Sequence, residues 1–252
     1  MSGIRTKTEQ RGFTLIELLT ALGIFLLVCG AAFTLLGSSQ KHYQTESQVL
    51  SSFQEARLGL DQIVRDVNDA GYPPPTFFYS IAPQNSASSP FAWSPGYSAT
   101  SCAIGTGVGV QCTVPSSFDL IIETNPNPQD PVSQVQWIRY QLQGTTLMRG
   151  AANKVPGDNP DTDTSLAGVL VPFVQNVVNT AAQPIFSYTC DTTTTPPPTL
   201  PCPNATNADS KPANIREIIV TLIVAAAVPD ITSGQPRLVQ LTGRGRRVNP
   251  NQ

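Results

Sequence analysis

Few side chains in this 252-residue sequence have the types and spacing of a chemical site. The densest group of carboxylates is Asp158, Asp161 and Asp163, in a short segment that also contains Gly, Asn and Pro. Carboxylates this close together in a loop can bind Ca²⁺, but their spacing is not that of an EF-hand and the final glutamate of such a loop is absent. We therefore interpret the segment as a solvated turn and keep a calcium site as the weaker alternative.

The counts of histidine and charge exclude several functions. The single histidine, His42, excludes a metal site built from several histidines and leaves at most one histidine-based general base. The sequence has no phosphate-binding loop, no dinucleotide-binding glycine motif and no C-x-x-C pair. Its net charge of −2 argues against a nucleic-acid binder, and we interpret Arg244, Arg246 and Arg247 as a charged strand edge. These features predict a protein that is not an enzyme and carries no cofactor.

Four of the five cysteines follow residue 100, and only 13% of all residues are charged, as in many exported proteins. An even number of cysteines in an exported segment predicts disulfide bonds. Three pairings of four cysteines are possible. We favour Cys102–Cys112 and Cys190–Cys202, because each closes a short, loop-rich stretch.

Glu17 is the only charged residue in the apolar run from residue 13 to residue 37. As a helix this run would be about 37 Å long, enough to cross a bilayer core of about 30 Å. A carboxylate in hydrocarbon is costly unless it has a partner, so Glu17 is predicted to be functional. The basic residues Arg5, Lys7 and Arg11 precede the run and indicate that the N-terminus is cytoplasmic.

The distribution of proline divides the rest of the chain. The first 72 residues contain no proline, and all 23 prolines follow. Residues 38–70 show apolar side chains at steps of three and four, which predicts an amphipathic continuation of the first helix. Gly71 and the prolines at 73–75 then predict a stop. The membrane segment and this continuation would form one long helix.

Residues 71–252 are predicted to form a β-rich globular part outside the cytoplasm, with long loops at 73–115 and 191–212. The predicted fold class is α+β, with the amphipathic half of the helix packed on an antiparallel sheet. The predicted strands are rich in β-branched and aromatic residues and are bounded by Gly, Pro and Asn; they are 118–124, 134–142, 146–149, 185–189, 215–225 and 237–247.

The segment Gly12-Phe13-Thr14-Leu15-Ile16-Glu17 resembles the signal of type IV prepilins and type II secretion pseudopilins. The resemblance implies that a prepilin peptidase in the inner membrane cleaves after Gly12, removing residues 1–12. It further implies that the new N-terminus, Phe13, is methylated. In this family, the carboxylate at the position of Glu17 pairs with the N-terminal amine of a neighbouring subunit.

A second resemblance lies at the end of the predicted helix. An Arg65-Asp66 pair followed by Ala70-Gly71-Tyr72 is similar to the larger minor pilins of the PilW kind. The minor pseudopilin J family is related but usually lacks the Ala-Gly-Tyr ending. The same resemblance implies one hairpin at residues 137–149 and another in which residues 169–178 lead to residues 185–188.

These resemblances imply three functions. The first is a minor pilin that acts in the initiation or at the tip of a type IV pilus, with other pilins and the prepilin peptidase as partners. The second is a minor pseudopilin of a type II secretion system. The third is an adhesin or binding module anchored by a pilin helix. Each implies a single-pass protein of the bacterial inner membrane whose globular part is periplasmic, before it enters a filament.

Overall fold

The computed structural model describes residues 12–74, 87, 91, 116–127, 134–155, 164–190, 215–230 and 233–247. By its internal contacts the chain divides into two units, Met1–Ser47 and Gln48–Gln252. We call the described residues 12–47 the stem and the described residues from Gln48 onward the head.

Helix α1 spans Leu15–Asn68 and supplies all of the stem's regular structure as well as the first element of the head. Beyond Asn68 the chain makes one more turn, in which the N–H of Ala70 donates to the carbonyl of Val67 at 3.2 Å. Gly71 then takes a φ of 83°, a left-handed conformation that glycine adopts without steric cost. The predicted stop at Gly71 is therefore confirmed.

Within the head, one face of α1 is buried. The buried residues recur every three or four positions, the period of an amphipathic helix; they are Ala56, Leu60, Ile63, Val67 and Ala70. They share one core with apolar side chains from two antiparallel sheets. The predicted α+β class is therefore confirmed, with two sheets in place of the single sheet that we expected.

The first sheet has four antiparallel strands in sequence order, β1 (Asp119–Thr124), β2 (Gln136–Gln143), β3 (Thr146–Asn153) and β4 (Val171–Val174). A short helix, α2 (Thr164–Gly168), lies between β3 and β4 in the chain. The turn between β2 and β3 contains Gly144 at a φ of 61°, so the hairpin predicted at residues 137–149 is confirmed.

The second sheet has three antiparallel strands, β5 (Phe186–Cys190), β6 (Ile215–Pro229) and β7 (Pro236–Arg246), with β6 in the centre. Its edge strand β7 lies very close to α1. A Cβ atom placed on Gly243 would lie 3.0 Å from Leu60 Cδ1, and one on Gly245 would lie 2.5 Å from Val67 Cγ1. These two glycines therefore permit the close packing of helix and sheet.

The second predicted hairpin is wrong. Residues 171–174 pair with β3 in the first sheet, whereas residues 186–190 pair with β6 in the second. The segment between them crosses from one sheet to the other, and Val177 makes an isolated bridge to Val224 of β6. Both segments bury apolar side chains in the shared core, so both show the apolar pattern expected of the two strands of a hairpin. That pattern does not determine which strand each segment pairs with.

Candidate functional site

The apolar run of the stem, up to residue 37, exposes apolar side chains along its whole length. The most apolar part of α1 has a mean hydropathy of 2.4, and none of it is buried. Phe13 is 83% exposed, and Ile24 is 63% exposed. By length and composition the helix could cross a membrane. Its apolar side chains require a lipid or protein environment that the described part of the chain does not provide.

Glu17 caps the start of α1. Its Oε2 atom accepts hydrogen bonds from the backbone N–H of Thr14 at 2.9 Å and from the Thr14 hydroxyl at 2.8 Å. In return, the N–H of Glu17 donates to Thr14 Oγ1 at 3.4 Å. This reciprocal arrangement is a capping box, which satisfies backbone donors that the first turn of a helix leaves unpaired.

Three predicted site residues, Gly12, Phe13 and Glu17, lie at the N-terminal end of α1. Gly12 and Phe13 are exposed and directly precede Thr14. Of the two carboxylate oxygens of Glu17, only Oε2 has hydrogen-bond partners among the described residues. Oε1 can therefore accept a further hydrogen bond. Sequence reasoning identified Glu17 but missed its partner Thr14, although the S/T-x-x-E spacing of a capping box was present in the motif.

At the other end of α1, Asp66 connects the helix to the first sheet. Its Oδ2 accepts hydrogen bonds from the Tyr140 hydroxyl at 2.6 Å and from Arg149 Nη2 at 2.8 Å. Arg149 Nε also donates to the Tyr140 hydroxyl oxygen at 2.9 Å, and Gln62 Nε2 donates to Asp66 Oδ1 at 2.7 Å. A buried carboxylate needs such partners, because removal from water otherwise costs several kcal/mol.

The burial of this cluster determines its protonation. Burial raises the pKa of the Tyr140 hydroxyl well above its ordinary value, and the charge of Asp66 adds to the effect. Burial alone would lower the pKa of Arg149, but Tyr140 and Asp66 outweigh it and raise that pKa. The cluster is therefore an ion pair bridged by a neutral hydroxyl, which stabilises the packing of α1 on the sheet.

The Ala70-Gly71-Tyr72 segment has a structural role in this fold. Ala70 is fully buried, the N–H of Gly71 donates to the carbonyl of Glu123 at 2.8 Å, and the carbonyl of Tyr72 accepts from the N–H of Asn125 at 2.8 Å. The Thr124 hydroxyl also donates to the carbonyl of Asp69 at 2.7 Å. The motif therefore fastens the end of the helix to the end of β1.

A second buried ion pair lies across β1, β2 and the end of β3. Glu123 accepts hydrogen bonds from Trp137 Nε1 at 3.0 Å and from Lys154 Nζ at 3.2 Å. Both charged side chains are nearly inaccessible to water. No sequence motif connects these residues, and they contact one another only because the strands are adjacent.

The remaining predicted sites are only partly described. Asp158, Asp161 and Asp163 lie outside the described residues, as do Cys102, Cys112 and Cys202. Cys190, at the end of β5, is disulfide-bonded, and Cys29 in the stem is free. The pairings Cys102–Cys112 and Cys190–Cys202 stay predictions, which peptide mapping without reduction would test.

Comparison with known proteins connects the N-terminal segment to a family. A family model for the prokaryotic N-terminal methylation motif matches residues 7–35. The match includes Gly12, Phe13, Thr14 and Glu17 and ends within the apolar part of α1. No curated protein matches the chain, and no solved structure matches it. The chain thus carries the N-terminal signal of type IV pilin-like and pseudopilin-like proteins, at the start of a helix that is long and apolar enough to cross a membrane.

Proposed function

We propose that this protein is a minor pilin that takes part in the initiation or at the tip of type IV pilus assembly. The observation that carries the proposal is the methylation motif, whose glutamate caps a helix whose most apolar part is fully exposed. In the proposal, prepilin peptidase removes residues 1–12 in the inner membrane, and Phe13 becomes the methylated N-terminus. The protein itself catalyses no reaction.

The geometry of Glu17 supports a role in assembly. Thr14 holds one carboxylate oxygen, so the side chain is fixed at the start of the helix while Oε1 can accept another hydrogen bond. Cleavage after Gly12 would create a new amine on Phe13, directly before the capping residue Thr14. Between neighbouring subunits, the Phe13 amine of one and the Glu17 carboxylate of the other would attract each other strongly in a medium of low dielectric constant.

The end of α1 favours the pilus over secretion. The Ala70-Gly71-Tyr72 segment, which resembles minor pilins of the PilW kind, is an ordered connection between helix and sheet. A minor pseudopilin of type II secretion would share the stem features but usually lacks this ending. It is the second candidate, and the two differ in which process fails when the gene is deleted: pilus formation or protein secretion.

The variant Glu17→Ala tests the proposed role of the carboxylate. We expect normal membrane insertion but strongly reduced recovery in sheared filaments, because the neighbouring amine would lack its partner. Asp61→Ala is the matched control, since Asp61 is an exposed acidic residue on the same helix. Recovery of Glu17→Ala in filaments at the control's level would contradict the proposal.

The variant Gly12→Val tests processing separately. We expect the leader to remain, so that mass spectrometry of the purified protein finds the intact N-terminus instead of a methylated Phe13. Normal removal of residues 1–12 from this variant would contradict the proposed cleavage site.

A further inference from the structure

We propose that the outer edge of β7 is a docking site for an extended, acidic peptide segment of a partner protein, which adds as a fourth strand to the sheet of β5, β6 and β7. The proposal concerns the head alone and requires neither leader removal nor filament assembly.

The hydrogen bonds of β7 show which backbone groups are open. The N–H of Arg247, directly after β7, donates to the carbonyl of Arg216. By the alternation of an antiparallel pair, the backbone N–H and C=O groups of the odd-numbered residues of β7 therefore point toward β6. In agreement, the N–H of Thr221 on β6 points away from β7 and donates to the carbonyl of Ile185. The N–H and C=O groups of the even-numbered residues of β7 therefore point outward.

One end of this outer edge is already occupied. The N–H of Arg246 donates to Asn68 Oδ1 at 2.8 Å, at the end of α1. The open stretch then runs from Leu238 to Arg244, where the outward groups have no backbone partner among the described residues. An extended segment paired there would satisfy a row of donors and acceptors, as in other cases of strand addition.

The two faces of β7 specify the side chains of such a segment. On the face toward the core, Val239 and Leu241 are only half buried, so apolar side chains of an added strand would extend the core beside them. On the outer face, Leu238 is 61% exposed and the side chain of Arg244 is 69% exposed. Successive side chains of a strand alternate between faces, so apolar and acidic residues should alternate in the partner.

The charge of the strand selects the partner. β7 contains three arginines and no acidic residue, although the whole chain has a net charge of −2. Arg237 is paired with Asp230 at 2.6 Å, whereas Arg244 has a longer ion pair with Glu217, at 3.7 Å. Arg246 forms no ion pair with another described residue. The edge of a second copy carries no carboxylate, whereas a strand with carboxylates would meet complementary charge.

The test uses the full chain in detergent micelles and three fluorescent probes: a short synthetic peptide of alternating valine and glutamate, one of alternating valine and lysine, and a short single-stranded oligonucleotide. We expect the glutamate peptide to bind at least about tenfold more tightly than either other probe. Hydrogen exchange should slow in the peptic fragments that contain Leu238–Arg244. Equal binding of the lysine peptide or the oligonucleotide, or unchanged exchange in β7, would overturn the proposal.

Two further probes separate strand addition from simple charge attraction. A glutamate peptide methylated on every backbone nitrogen keeps its charge but cannot donate hydrogen bonds, and we expect it to bind at least about tenfold more weakly. Thr242→Pro removes one outward N–H of β7 without removing a backbone hydrogen bond to β6, and it should weaken binding of the unmodified peptide.

Reversal of one charge provides the matched protein variants. Arg244→Glu should shift the preference toward the lysine peptide, whereas Arg57→Glu, on an exposed part of α1, should leave the preference unchanged. Undiminished binding of the methylated peptide, or equal effects of the two arginine variants, would contradict a site on β7. Failure of any of these tests would leave the proposed role of the stem unaffected, because that role is measured by processing and filament recovery.

Discussion

Ile24 and Ile63 lie on the same helix, yet Ile24 is 63% exposed and Ile63 is fully buried. The stem exposes its apolar side chains along the whole run, whereas the head covers its share of α1 with two sheets. Burial of apolar surface stabilises a folded chain only where the chain itself provides the cover. The head can therefore be understood as a single folded unit, whereas the stem needs lipid or neighbouring helices.

Ile63→Ala and Ile24→Ala test this contrast most strongly. Truncation of Ile63 leaves a cavity in the core, and we expect the free energy of unfolding of the head to fall by about 4 kcal/mol. Ile24→Ala should change it by less than about 0.5 kcal/mol, because no core surrounds that side chain. Urea unfolding of the full chain in detergent, followed by fluorescence of the buried Trp137, measures both. Equal losses for the two variants would contradict the contrast.

Gly245→Ala and Gly37→Ala compare close packing in the two regions. A Cβ on Gly245 would lie 2.5 Å from Val67 Cγ1, whereas one on Gly37 would have nothing within 4 Å. We expect Gly245→Ala to destabilise the head by about 2 kcal/mol through overpacking. Gly37→Ala should leave urea unfolding of the head unchanged. A stable Gly245→Ala head would indicate that helix and strand can separate at little cost.

Tyr140→Phe tests the buried hydrogen bonds at the end of α1. The substitution removes the hydroxyl that donates to Asp66 while keeping the ring, and we expect a loss of about 1.5 kcal/mol in unfolding free energy. The control Tyr43→Phe removes a hydroxyl from an exposed ring of the stem and should have no effect on the head. A loss equal to that of the control would show that the hydroxyl adds no stability.

Asp69→Asn should have the smallest effect, and its sign depends on pH. Burial raises the pKa of Asp69, the charge of Asp66 adds to the rise, and Arg65 opposes it. The folded state therefore holds the proton more tightly than the unfolded state, and stability is lost as the pH rises through the folded pKa. We expect the variant's Tm to exceed the wild type's slightly at neutral pH and to equal it once the carboxyl is protonated.

Asp61→Asn is the control for that measurement, because Asp61 is an exposed carboxylate on α1, which ends one residue before Asp69. Its Tm should follow the wild type's at both pH values. A neutral-pH Tm of Asp69→Asn below the wild type's would mean that the charged form of Asp69 stabilises the head, contrary to the expected sign.

The parts of the molecule that depend on local sequence were predictable. The periodicity of α1, its stop at Gly71 and the hairpin at Gly144 are set by residues within a few positions of one another. The motif around Glu17 is equally local, and its capping geometry could have been read from the Thr14-x-x-Glu17 spacing.

The parts that depend on distant residues were not predictable. Asp66 contacts Tyr140 and Arg149, which are 74 and 83 positions away in sequence. Strand β4 contains Pro172 and only four residues, too few to determine whether it pairs with β3 or with β5. Such pairings follow from which faces must be buried together, and this emerges only when the whole core forms.

The last two turns of α1 are fastened to both sheets, through Asp66 to Tyr140 and Arg149 in one and through Asn68 to the backbone of Arg246 in the other. A tensile load that enters the head along this helix would therefore be divided between two sheets. The load would act on the hydrogen bonds of Asp66 and of Asn68 at the same time. It would not act only on the hydrogen bonds that join one edge strand to its neighbour.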